Sequence, residues 1–141
     1  MVCYYVDSCI WLNLFKNEKS YSGKDFGKIA KQFFDFSLRN NHEIVLSSFI
    51  IREMQFVLSE KDSKKVIDKI KHTTFFKKHF VSKNEFLFAR FLEKEFNYSI
   101  SFFDCVHLSI CMKNNFVLVT RDNLLIKKSN GYAKKPEELL K

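Results

Sequence analysis

Residues 116–122 read FVLVTRD. From Phe116 to Thr120 the run is apolar or β-branched without a polar break; then come a base and an acid. An uninterrupted run of this kind predicts a strand buried on both faces, as strands are in parallel sheets covered by helices. A carboxylate just after it, Asp122, stands at the C-terminal end of that strand. Open α/β sheets bind their ligands at that edge.

Working outward, the same arrangement recurs. Residues 2–6 (VCYYV) predict a short buried strand, and Asp7 follows it. EIVL at 43–46 predicts another, and Glu53 lies in the helix after it. That helix has apolar positions Phe49, Ile50, Met54, Val57 and Leu58, with Ser48 as its expected cap. Residues 8–15 read as a brief helix and KNEKSYSGKD (16–25) as a loop. Phe26, Ile29, Phe33, Phe34 and Leu38 have helical spacing over 25–40. SEKDSKK (59–65) reads as a charged turn before a helix on Val66, Ile67 and Ile70. TTFFKKHFVS (73–82) fits either a strand or an irregular basic segment. Helices are expected over 84–96 and from Ser101 to 114–115, the latter carrying Asp104 in its first turn. DNLLIKK reads as a short helix or turn, 131–134 as a last strand, and Pro136 as the first position of a terminal helical turn. Strands alternating with helices predict an α/β fold with a parallel sheet between helical layers.

Bulk composition narrows the classes. Residues 1–141 suit one domain. With 46% hydrophobic residues and 17 Phe, disorder is excluded. No apolar stretch approaches the ~18–20 residues of a bilayer span. Nor does a basic segment precede the apolar start, which Asp7 interrupts, so a cytoplasmic protein without a membrane role is expected. Cys3, Cys9, Cys105 and Cys111 form no CxxC, and His42, His72, His79 and His107 complete no zinc pattern; buried free thiols are expected. The formal charge of +8 favours a polyanionic partner, nucleic acid or an acidic membrane surface.

Each acid has an ordinary explanation. Asp7 and Asp122 could cap the helices that follow, Ser101 and Asp104 fit an S-x-x-D capping box, and Glu53 could be an exposed acid beside Arg52. Their setting argues otherwise. Asp7, Asp104 and Asp122 are flanked by apolar residues and read as semi-buried. Burying such charges costs several kcal/mol without compensation. Two like charges ~4 Å apart repel by ~4 kcal/mol at an effective dielectric of ~20. Arg52 and Arg121 are chain neighbours of two of the acids and point away from them. A divalent cation is the better counter-charge, and all-oxygen ligation favours Mg²⁺ or Mn²⁺ over Zn²⁺.

YYVDSCIWL, SSFIIREMQ, SFFDCVHLSIC, VLVTRDNLL and the C-terminal KKPEELL, in that order, resemble the PIN-domain ribonucleases, in particular the single-domain VapC-type toxins of toxin–antitoxin pairs. The resemblance implies a three-layer α/β/α sandwich with a mostly parallel sheet of about five strands, usually dimeric. It maps an acidic tetrad onto Asp7, Glu53, Asp104 and Asp122, with Thr120 as the supporting hydroxyl. Ser109 and Cys111 stand where the family often has Ala, and the first helix and its loop are unusually Lys-rich. The implied chemistry is Mg²⁺- or Mn²⁺-dependent hydrolysis of RNA phosphodiesters, with an antitoxin protein and a second copy as further partners. Without the four acids, each worth one negative charge, the rest of the chain carries +12. Lys77, Lys78, Lys127 and Lys128, with Lys134 and Lys135, are candidates for RNA backbone contacts. His107, three residues after Asp104, shares its helical face and reads as a hydrogen-bonded structural histidine near the site.

Other readings remain. The same fold could serve a housekeeping RNA-processing nuclease or a non-catalytic RNA-binding protein. A receiver domain also ends strands with acids and has a Lys-Pro pair, as Lys135-Pro136 is here. It needs adjacent acids after its first strand, where this chain has Asp7-Ser8, and EIVLSS offers no phosphoacceptor.

Overall fold

The computed structural model describes residues 1–16, 22–73 and 76–140. In chain order the elements are β1 (Cys3–Val6), α1 (Ser8–Lys16), α2 (Phe26–Arg39), β2 (Glu43–Ser47), α3 (Ser48–Val57), α4 (Glu60–His72), β3 (Phe76–His79), α5 (Lys83–Glu95), α6 (Phe102–Asn114), β4 (Val117–Val119), α7 (Asn123–Lys128), β5 (Ala133–Lys134) and α8 (Pro136–Leu139). Residues 17–21 of the loop expected at 16–25, together with Thr74 and Phe75, lie outside the described residues.

All five strands pair in parallel, in the order β3-β2-β1-β4-β5. The expected parallel sheet is thus present. Residues 76–79 of the ambiguous basic segment form its edge strand, because Ile44 to Ser47 of β2 offer a ladder to Phe76 through His79. Alternation along β1 shows the two faces. Tyr4 packs edge-on against Phe33 of α2, while Tyr5 reaches His107 of α6 on the other side. Each face is covered by helices, which gives the three layers. From β1 the chain crosses to β2 on one side, whereas β4 flanks β1 on the other. The strand order therefore reverses between β1 and β4, the switch point where ligands of such sheets bind.

The core explains the unbroken apolar runs. Tyr5, Val6, Ile44, Leu118 and Val119 are fully buried. Helix α6 has seven consecutive buried residues, Cys105 to Cys111, so it is a core helix with no solvent face over two turns. Polar residues on such a helix must find partners inside, and Ser109 donates to the Glu85 carbonyl at 2.7 Å. The cysteines are free; Cys105 and Cys111 are buried, Cys3 and Cys9 partly so.

Two sequence expectations need correction. SEKDSKK is not a turn. The Ser59 hydroxyl accepts from the Asp62 N–H, and α4 starts at Glu60, its acids lying in the first turn where the helix dipole favours them. Nor does Ser48 cap α3: it is the first helical residue, Ser47 is the N-cap, and Ser47 turns its hydroxyl to Tyr5 instead. Among the described residues no helix is long and apolar enough to cross a membrane.

Candidate active site

The pocket forms where β1 and β4 end. Asp7, the residue after β1, is 7% exposed and donates its backbone N–H to the Val119 carbonyl at 2.9 Å. Its position is thus fixed by both strands that flank the switch point. Thr120, fully buried after β4, donates its hydroxyl to Asp7 Oδ2 at 2.7 Å and accepts from the Asp122 backbone N–H at 3.2 Å. One hydroxyl therefore orients the first acid and shapes the loop that carries the last. Asp7 Oδ1 accepts from the Ser8 N–H at 2.8 Å, and its carbonyl accepts from Ile10 N–H at 3.1 Å, which starts α1. The ordinary helix-start role and the site role coexist in one residue.

Glu53 arrives from α3. It is not an exposed acid beside Arg52: its side chain is 31% exposed and held at both oxygens. The Ser8 hydroxyl donates to Oε2 at 2.7 Å, and His107 Nε2–H donates to Oε1 at 2.6 Å. Burial raises its pKa, but the His107 and Ser8 hydrogen bonds outweigh that and hold the carboxyl below its usual range. His107 is completely buried. Burial works against its charged form, yet the Glu53 hydrogen bond and the charges of Asp7, Glu53 and Asp104 leave its pKa above the ordinary histidine value.

Asp104 sits in the first turn of α6, where Ser101 caps the helix by accepting the Asp104 N–H at 3.2 Å. Burial first, then the charge of Asp7 and more weakly that of Asp122, push its pKa up to about 6. Asp7 and Asp122 are thus near enough for their charges to act on Asp104. Asp122 differs from expectation. It is exposed rather than semi-buried, and its side chain caps α7 by accepting from Leu125 N–H at 3.0 Å.

The donors suit a hard divalent cation. Asp7, Glu53 and His107 each offer one ligand atom, all within 4.8 Å of one another. His107 is the least fit of these, since Nε2 is committed to Glu53 and Nδ1 to the Tyr5 hydroxyl at 2.7 Å. What remains is carboxylate oxygen, the chemistry of Mg²⁺ or Mn²⁺. Cys9 Sγ lies 3.7 Å from Asp7 Oδ2, but burial and the Asp7 charge push its thiol up to about 12, so it stays protonated and is a poor soft ligand at neutral pH. Neither neighbouring arginine neutralises the acids. Arg121 turns to Asn13 and Glu137 and stacks over Phe26 at 4.0 Å, while Arg52 lines an open cleft of about 290 Å³ with Lys78 and Gln55.

The lysines separate. Lys77 pairs with Glu43 at 2.6 Å, at the start of β2 and so toward the sheet edge opposite the acids. Lys78 stands by the α3 cleft with its ammonium 5.6 Å from the Phe80 ring, and Lys127 and Lys128 are exposed at the end of α7. Sequence reading did not single out Ser8, Ser47 or Tyr5 as partners of the site. Ser8 follows Asp7 directly, and that adjacency was the available signal. Nothing in the local sequence ties Tyr5 or Ser47 to His107, more than 50 residues away.

Comparison with known proteins agrees with this architecture. The PIN domain family model matches residues 4–130. Similar solved structures include VapBC2 from Rickettsia felis bound to a DNA fragment from their promoter, with a TM-score of 0.72 and 17% identity over 95% of this chain and 98% of that one. FitAcB from Neisseria gonorrhoeae gives a TM-score of 0.66 and 10% identity over 95% and 98% of the two chains. PAE2754 from Pyrobaculum aerophilum gives 0.61 and 18% over 99% and 93%. No curated protein sequence matches significantly. At these identities the structural likeness speaks for the fold, and the family match covers nearly the whole of it, so this chain belongs to the PIN-domain family.

Proposed function

We propose that this protein is a divalent-metal-dependent endoribonuclease, the toxin of a toxin–antitoxin pair, with residues 1–141 forming one nuclease domain. The observation that carries the reading is geometric: Asp7 and Glu53 bring carboxylate oxygens within 4.8 Å of each other beside the β1/β4 switch point, with Thr120 bonded to Asp7. The burial and Asp7 charge that raise the pKa of Asp104 fit a site short of positive charge. Asp7, Asp104 and Asp122 are the proposed holders of Mg²⁺ or Mn²⁺, with Glu53 completing the set. The cation, when bound, acidifies water and neutralises charge on the cleaved phosphate. Thr120 keeps Asp7 oriented through its 2.7 Å hydrogen bond. Glu53, with its pKa held low and one donor on each oxygen, is ionised at neutral pH and accepts a proton from the attacking water. No covalent intermediate is required. Lys78, Lys127 and Lys128 contact the RNA backbone, and the +8 chain steers it to the acidic pocket.

The partner reading draws on two neighbours. One similar structure is a VapBC2 assembly on promoter DNA and another is FitAcB, which supports a cognate antitoxin protein as partner; a second copy of this chain is proposed from the family resemblance alone. The decisive experiment is cleavage of a labelled single-stranded RNA by purified protein with Mn²⁺, Mg²⁺ or EDTA, alongside Asp104→Asn. Cleavage that needs the cation and vanishes in Asp104→Asn supports the nuclease; full activity in that variant, or in EDTA, refutes it. In the same assay rising salt is expected to weaken RNA binding steeply, and an affinity indifferent to salt would remove the role given to the lysines.

A further inference from the structure

A single file of hydrogen bonds runs through the interior behind the pocket. Ser47 Oγ and Tyr5 Oη are 2.7 Å apart, Tyr5 Oη and His107 Nδ1 2.7 Å, and His107 Nε2 and Glu53 Oε1 2.6 Å. Ser47, Tyr5 and His107 are all 0% exposed. Four elements contribute: Ser47 ends β2, Tyr5 belongs to β1, His107 to α6 and Glu53 to α3.

The chemistry of the last member sets the direction of the file. An ionised carboxylate only accepts, so His107 carries a proton on Nε2. In the neutral ring Nδ1 then accepts from Tyr5, whose hydroxyl accepts from Ser47. If the ring gains a second proton the two hydroxyls reverse, and Nε2–H still points at Glu53. Both states of the ring therefore present the same donor to the same oxygen.

Three polar side chains have been taken out of water to build this, where apolar residues would pack at lower desolvation cost. Two other buried serines end on backbone carbonyls, Ser37 on Phe33 and Ser109 on Glu85. Here the file ends on a site acid instead. It also closes a loop. Ser47 immediately precedes α3, and Glu53 lies on α3 six residues later, so both ends of that segment are tied to one buried path. Ser8 holds the other oxygen, Oε2, at 2.7 Å. With one donor on each oxygen, the carboxylate plane is fixed.

We infer that His107, backed by Tyr5 and Ser47, is a positioning residue that holds Glu53 in one orientation at the pocket while touching neither RNA nor cation. The inference rests on the nuclease reading of that pocket. The test compares His107→Leu, which keeps the buried volume and removes the donor, with His107→Gln, whose amide restores an N–H close to the Nε2 position. Groups that orient metal-binding acids are typically worth ~10–100-fold. His107→Leu is expected to lose that much in kcat and in Mn²⁺ affinity measured by calorimetry, with KM for RNA unchanged, and His107→Gln to recover most of it. Tyr5→Phe, which removes one oxygen from the file, gives a smaller loss in the same direction and serves if His107→Leu does not fold. Nitrogen NMR of the wild-type ring is expected to show a protonated Nε2. A ring protonated on Nδ1 alone, a folded His107→Leu with wild-type kcat and Mn²⁺ affinity, or a Gln variant no better than Leu would each overturn the inference. If wild type and variants were all inert toward RNA with Mn²⁺, the nuclease reading would fail, while the Mn²⁺ affinities and ring spectra would still decide whether His107 positions Glu53.

Discussion

Among the described residues two His–Glu pairs have opposite surroundings. His79 and Glu85 join β3 to α5. Glu85 is 4% exposed, and its carboxylate accepts from His79 Nε2 at 2.9 and 3.0 Å, Ser82 N–H at 2.7 Å and Asn114 Nδ2–H at 2.6 Å. Its backbone N–H returns to the Ser82 hydroxyl at 3.1 Å, completing a capping box. Every need of that carboxylate is met from within. His107 and Glu53 form the other pair. Glu53 has one donor per oxygen, keeps nearly a third of its side chain exposed, and offers a ligand atom within 4.8 Å of Asp7. The two pairs have the same residue types and similar distances, so neither alone marks a function. What separates them is unused accepting capacity facing solvent and further acids. Glu85 is a finished joint, and Glu53 keeps the accepting capacity that the proposed cation would use.

The largest expected effects test that division directly. Asp104→Asn or Asp7→Asn should reduce metal-dependent RNA cleavage to background, measured as the initial rate on a labelled single strand. Glu53→Gln should cost ~10²–10⁴-fold in kcat, the range for a lost proton acceptor. In Asp104→Asn the melting temperature without metal should hold or rise, because the carboxyl whose charge the fold disfavours is the one removed. Glu85→Gln should do the reverse. It should lose about 2 kcal/mol of stability, since hydrogen bonds to a buried charge are weakened, and cleave RNA at the wild-type rate at a temperature where it is folded. A Glu85→Gln protein that is stable but inactive, or a Glu53→Gln protein that is unstable but active, would break the comparison.

The sequence made the sheet legible because both-face burial leaves a mark in consecutive residues. FVLVT and EIVL have no polar alternation to mislead, and the acids after them appear where the strands end. Thr120 and the tetrad came with the family resemblance; the structure puts ligand atoms of Asp7 and Glu53 within 4.8 Å, the Thr120 hydroxyl on Asp7, and Asp104 within reach of the Asp7 charge. Legibility failed where tertiary contacts overrule local chemistry. SEKDSKK looks like a turn by charge, yet Val66 directly after it is buried and draws the segment into α4. Ser48 looks like a cap, but Ser47 holds the position and spends its hydroxyl on Tyr5. Asp122 reads as semi-buried from VLVT before it, although it is exposed as the N-cap of α7. The Tyr5–His107 contact spans 102 residues, and no periodicity encodes it.

The smallest expected effect is the most discriminating, because acid acts on the two regions with opposite sign. Asp104 has a pKa of about 6 in the folded protein against 3.8 for the free side chain. The folded state thus holds that proton more tightly, and the stabilisation is complete below 3.8 and lost as pH rises through 6. Glu85 is held below its free value of 4.5: burial raises it, but the Ser82 N–H, His79 and Asn114 together outweigh burial. Its contribution is present above 4.5 and lost as pH falls through the lowered value. Lowering pH from 7 toward 5 should therefore raise the melting temperature of metal-free protein through Asp104, and acid below 4.5 should lower it through Glu85. Difference curves isolate each part, since Asp104→Asn should abolish the rise and Glu85→Gln should flatten the fall. Saturating Mn²⁺ should erase the rise in wild type alone, because cation and proton compete for the same carboxylate. A rise that survives both Mn²⁺ and Asp104→Asn would mean that the pocket's charge crowding lies elsewhere than at Asp104.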